Sequence, residues 1–142
     1  MARRPLASLA LALSLLAPAA ARAGALATPL APMFGVGGGN TVHRCSLINA
    51  STKSPVRSVT ITEYQTTYCE IGGNPCHTVV KQSVTCAELQ PGDFCMLNDS
   101  STGLAQPVWC HFEFKGSPKN VRAAMDVRDK NSGETMAVIP AQ

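Results

Sequence analysis

The chain has 142 residues, with 12 lysines and arginines against 9 acidic residues, for a formal net charge of +3. Arg3, Arg4 and Arg22 lie in a predicted signal peptide, so the mature chain would carry 12 − 3 = 9 basic residues against 9 acidic ones. A net charge of zero removes the electrostatic reason to expect nucleic acid or an anionic membrane as a partner. The mature length of 142 − 23 = 119 residues suits one domain.

Residues 1–23 have the charge and hydropathy order of a secretory signal peptide. A basic start is followed by an apolar run over residues 6–17, which is too short to be a transmembrane helix. Ala21 and Ala23 fit the small-residue cleavage rule and place the mature N terminus at Gly24. We therefore predict an exported protein, periplasmic or extracellular, without an integral membrane segment after cleavage. The alanine-rich signal indicates a bacterial source.

The segment that follows, residues 24–40, is rich in glycine and proline and shows no sustained periodicity. Its glycine run at residues 35–39 lacks the Lys-Ser/Thr pair of a phosphate-binding P-loop, and no strand or helix flanks it. We predict a flexible leader that precedes a folded domain over residues 41–142.

The domain alternates apolar and polar residues in short runs separated by Gly, Pro, Asn and Ser, which is typical of antiparallel β-strands with one buried face. No run has a helical period. The pattern predicts an all-β protein, an antiparallel two-sheet sandwich of about seven strands, immunoglobulin-like in general architecture and held together by disulfides. The predicted strands cover residues 41–49, 56–64, 78–86, 94–97, 108–115, 121–129 and 135–139.

Residues 108–129 give the clearest pattern, because two alternating runs flank a Gly-Ser-Pro-Lys-Asn turn. We expect a β-hairpin whose buried face includes Cys110 and Phe112. On the opposite face, Trp109 would lie beside Arg122 and Arg128 of the neighbouring strand. That group is either a contact surface or a tryptophan covered by an arginine or by the leader.

All six cysteines follow the predicted signal, which is typical of a disulfide framework in a short exported chain. Their spacings contain no C-x2-C pair, so a zinc site is not expected. Six cysteines allow 15 pairings, which the sequence does not resolve. Turn residues and strand phase favour three bridges: Cys69–Cys76, Cys86–Cys95 and Cys45–Cys110.

Residues 44–49, 110–114, 121–129 and 137–141 resemble segments of small exported bacterial β-sandwich proteins of uncharacterised function. The resemblance covers strands and termini and not the cysteine-rich middle. It implies the fold and the compartment, and it implies no active site.

The sequence predicts no catalytic residue, metal or cofactor. There is no G-x-S-x-G motif, and the three histidines, His43, His77 and His111, are not spaced as paired metal ligands. Our hypothesis is an exported non-enzymatic binding module for a protein or glycan partner. Its predicted contact residues are Trp109, Arg122, Arg128, Ile71, Asn74 and His77.

Two other functions stay open at this point. One is a small secreted hydrolase or metal-dependent enzyme that uses His77 or His43. The other is a secreted enzyme inhibitor that presents the loop at residues 69–76 to its target.

Overall fold

A computed structural model describes residues 23–30, 41–66, 77–99 and 107–142. These residues form eight strands in two antiparallel four-stranded sheets, with one short 3-10 turn, Pro118–Asn120. The strands are β1 Ala23–Ala27, β2 Thr41–Asn49, β3 Val56–Thr66, β4 Thr78–Leu89, β5 Phe94–Asp99, β6 Val108–Lys115, β7 Val121–Asp129 and β8 Thr135–Pro140. Sheet A has the order β1-β6-β3-β4, and sheet B has the order β5-β2-β7-β8.

The all-β fold and the sandwich architecture are confirmed. Inward residues of both sheets meet in one apolar core that includes Leu47, Ile61, Phe112 and Met125, each fully buried. The strand order differs from the ABED and CFG sheets of immunoglobulin constant domains, so the likeness is one of general architecture. In the described part of the chain no helix is long and apolar enough to cross a membrane.

The predicted hairpin over residues 108–129 is wrong, although both of its strands exist. β6 lies in sheet A between β1 and β3, whereas β7 lies in sheet B between β2 and β8. The connection between them therefore crosses from one sheet to the other. β2 and β3, the first two predicted strands, likewise belong to different sheets although only a short turn links them.

Two of the three predicted disulfides are confirmed, Cys45–Cys110 and Cys86–Cys95. Each one joins a strand of sheet B to a strand of sheet A. The Cys45–Cys110 bridge links two inner strands across 65 residues and contributes about 4 kcal/mol in the chain-entropy model. The third predicted pair, Cys69–Cys76, lies outside the described residues.

The start of the predicted flexible leader is ordered, which corrects that expectation for residues 24–27. β1 pairs antiparallel with β6 and covers an edge that sheet A would otherwise leave open. Gly24 is buried against Phe114, and a Cβ built on Gly24 would stand 2.5 Å from the Phe114 ring. Glycine therefore lets the two strands pair at this position. Residues 31–40 lie outside the description.

Asn49 closes the end of β2 that leads into the first turn. Its fully buried amide nitrogen donates hydrogen bonds to the carbonyls of Ser54 and Leu89, each at 2.9 Å. Its amide oxygen accepts from the backbone N–H of Ser51 at 3.0 Å. One side chain thereby ties this turn to the end of β4.

Candidate functional site

The predicted contact residues do not form one surface. Trp109 lies on the outer face of sheet A, and Arg122 and Arg128 lie on the outer face of sheet B. The expected arrangement of Trp109 beside the two arginines is therefore wrong, because it rested on the β6–β7 hairpin. His77 is exposed just before β4, and Ile71 and Asn74 fall outside the described residues.

On the outer face of sheet A, Trp109 packs against side chains of its own sheet. Trp109 stacks on Tyr64 with ring centroids 4.3 Å apart and an angle of 10° between the planes. His111 meets the Trp109 ring edge-on at 6.2 Å. All three side chains are half-buried. Trp109 thus packs on a cross-strand tyrosine, a neighbour that neither sequence-based alternative included.

The outer face of sheet B carries an apolar groove that crosses all four strands. Cross-strand pairing sets its side chains in successive rows, with Ile48 between Phe94 and Arg122 in the first row. Phe94 is 61 % exposed and Ile48 is 40 % exposed. We call this surface the outer groove; it has a volume of about 540 Å³ and includes Arg44, Ser46, Ile48, Phe94, Met96, Arg122, Ala124 and Pro140.

Positive charge predominates around the outer groove. The Asp126 carboxylate accepts from Arg44 Nε at 2.9 Å and lies 3.1 Å from Arg128 Nη2. Arg122 donates to the backbone carbonyls of Lys119 and Val121, and no carboxylate of the described residues pairs with it. Three guanidinium groups therefore face one carboxylate, and 3 − 1 leaves an excess charge of +2.

A second candidate lies between the sheets, at one end of the core. We call His43, Glu63, Lys81 and Asp99 the buried polar cluster. His43 and Asp99 are paired residues of β2 and β5, with His43 Nδ1 4.0 Å from Asp99 Oδ2, while Glu63 comes from the facing sheet. Lys81 forms an ion pair with Asp99, and Gln82 Nε2 donates to Glu63 Oε2 at 2.7 Å.

Burial shifts the proton affinities of two members of this cluster. Loss of hydration raises the pKa of Glu63 from 4.5 to about 7, although the hydrogen bond from Gln82 acts in the opposite direction. Loss of hydration also lowers the pKa of His43, against the pull of the Asp99 carboxylate. The cluster therefore tends to hold a neutral imidazole and a carboxyl group that is easily protonated.

Sequence reasoning selected His43, as a candidate residue of the enzyme hypothesis, and missed the other members of the cluster. Glu63 follows Val59 and Ile61 at intervals of two, and Asp99 follows Leu97 in the same way, so strand phase was a usable signal for both. Lys81 had no such signal. The register of β3 against β4 shifts at this point, so that Glu63 pairs with Gln82 and Lys81 is the extra residue of a bulge.

Comparison of the chain with protein-family models, with curated proteins and with solved structures gives no match. The outer groove and the buried polar cluster are therefore the features of this chain that bear on its function.

Proposed function

We propose that this chain is an exported, non-enzymatic interaction module that binds a protein partner at the outer groove. The partner would present apolar side chains next to carboxylates. The observation that carries the proposal is the exposed apolar surface around Phe94 and Ile48, which no described segment covers. Exposed apolar surface bordered by charge is typical of interaction sites.

The excess of guanidinium groups supports an acidic partner. Arg122 is exposed at one end of the groove and binds only backbone carbonyls among the described residues. A carboxylate of the partner would give it a charge-assisted, two-pronged contact. Charge complementarity of this kind accelerates association and selects among partners.

Two features support binding without a large entropy cost. The groove side chains lie on paired strands rather than on loops, and the two disulfides of the described residues hold sheet B against sheet A. A surface that is rigid before binding loses little conformational freedom on association. The same disulfides suit an exported protein, since such bonds persist in oxidising compartments.

The proposal can be tested with a displayed library of random twelve-residue peptides, selected on the oxidised mature chain. We expect the bound pool to be enriched in acidic residues next to apolar ones. Phe94→Ser should weaken binding of a selected peptide by about 30-fold, the loss typical of an aromatic contact at the centre of an interface. Arg122→Glu should weaken it by about tenfold.

Lys115→Glu is the matched control, because it reverses an exposed cation on the outer face of sheet A. It should leave peptide binding unchanged. An unenriched pool, or equal losses from Arg122→Glu and Lys115→Glu, would contradict the proposal. Sedimentation velocity tests whether a second copy of the chain occupies the groove. A dimer that Phe94→Ser dissociates would show this and would overturn the proposal of an acidic partner.

The hydrolase and inhibitor functions stay predictions. The inhibitor hypothesis depends on the loop at residues 69–76, which lies outside the described residues. The enzyme hypothesis depends on His77 or His43, and only His43 lies in a cluster of ionisable groups within the described part of the chain.

A further inference from the structure

We propose that His43, Glu63 and Asp99 form a binding site for one divalent transition-metal ion of the zinc class. Each residue offers one ligand atom, and the three atoms lie within 4.8 Å of one another. They come from three strands, β2, β3 and β5, and therefore from both sheets. A bound ion would join the sheets at the end of the core where the side chains are polar.

The state of the Glu63 carboxylate points to a missing ligand. Glu63 is only 1 % exposed, and in its ionised form Oε1 accepts no hydrogen bond and stands beside the Asp99 carboxylate, while Oε2 accepts from Gln82. A buried carboxylate oxygen without a donor is costly, and buried polar groups in native proteins are nearly always paired. A metal ion would supply the missing contact.

The donor set fits zinc better than calcium or magnesium. One imidazole nitrogen and two carboxylate oxygens are common zinc ligands, whereas calcium and magnesium favour shells made of oxygen alone. Tetrahedral ligands about 2.1 Å from zinc lie about 3.4 Å apart, so the three atoms need to approach by roughly an ångström. Side-chain rotation of Glu63 and His43 would have to supply that movement on binding.

Lys81 is the competitor for this site. Its ammonium group forms the ion pair with Asp99 that a metal ion would replace. The side chain is 21 % exposed and stands on the β4 bulge, which gives it a route towards solvent. Removal of this charge should therefore strengthen metal binding, a result that a merely structural role of the cluster would not produce.

The test is calorimetric titration of the oxidised mature chain with Zn²⁺ after treatment with a chelator. We expect one equivalent to bind, at least tenfold more weakly in Glu63→Gln and in His43→Gln. Lys81→Met should bind at least tenfold more tightly than the wild type. His111→Gln and Glu113→Gln, on the outer face of sheet A, are matched controls and should not change the affinity.

Each variant is first checked by urea unfolding without metal, so that weaker binding is not confused with a lost fold. Glu63→Gln and Lys81→Met preserve side-chain size and carry the test if His43→Gln does not fold. Absence of zinc binding would overturn the proposal. Binding that Glu63→Gln leaves unchanged, or that His111→Gln abolishes, would equally overturn it and place the ion on the surface.

Discussion

Glu63→Gln should change how the stability of the metal-free protein depends on pH. The pKa of Glu63 rises from 4.5 in the unfolded chain to about 7 in the fold, because the carboxyl group is buried. The folded state therefore binds this proton more tightly than the unfolded state does. The stabilisation is complete below pH 4.5 and is lost as pH rises to about 7.

The size of the change in the free energy of unfolding follows from the shift of the Glu63 pKa. A shift of 7 − 4.5 = 2.5 corresponds to about 3 kcal/mol at 1.36 kcal/mol for each pKa unit. Glutamine keeps the size of the side chain and does not ionise. The variant should therefore match the wild type near pH 4 and exceed its free energy of unfolding by up to about 3 kcal/mol at pH 8.

The assay is urea unfolding with a chelator present, followed by the fluorescence of Trp109 at intervals from pH 4 to pH 8. Glu113→Gln removes an exposed carboxylate on the same sheet and serves as the matched control for the loss of a carboxylate outside the core. A constant difference between Glu63→Gln and the wild type across this range would refute the account of the buried carboxyl group.

Two further substitutions test the fold. Gly24→Val should push its side chain into the Phe114 ring and destabilise the protein by about 1–3 kcal/mol. Ala25→Val, at an exposed position, is the control and should change the free energy of unfolding little. Equal effects of the two substitutions would show that β1 does not pack as described. Asn49→Ala removes the three hydrogen bonds of a fully buried side chain and should cost about 2–3 kcal/mol by urea unfolding, and a loss below about 0.5 kcal/mol would contradict that role.

Strand positions were predictable because alternation reports directly which residues face the core. The bounds of β2 match the prediction residue for residue, and β6 and β7 match as well. Strand partners were not predictable by the same means. A link such as residues 116–120 can close a hairpin or cross the roughly 10 Å between two packed sheets, and alternation is identical in both cases.

The missed first strand has a different cause. Ala23–Ala27 contains only Ala, Gly and Leu, residues without strong β-propensity. The strand forms because β6 has a free edge and because Gly24 leaves room for Phe114. Both conditions are tertiary, so the local sequence does not show them.

The same distinction between strand position and strand pairing applies to the candidate sites. Arg122 was selected from the sequence and does border the outer groove, but its neighbours Phe94 and Ile48 come from strands whose pairing the sequence did not reveal. Glu63 and Asp99 follow the inward phase, yet charged residues at strand ends are ordinarily assigned to solvent. Only the assembled sandwich places them around His43.

Backbone chemical shifts on addition of a selected peptide test the binding surface most directly. Proton–nitrogen spectra of the labelled mature chain should show the largest shifts at the amides of Ile48, Phe94 and Arg122, with those of Tyr64 and Trp109 almost unchanged. Shifts concentrated at Tyr64 and Trp109 would move the binding surface to the opposite sheet and contradict the assignment of the outer groove.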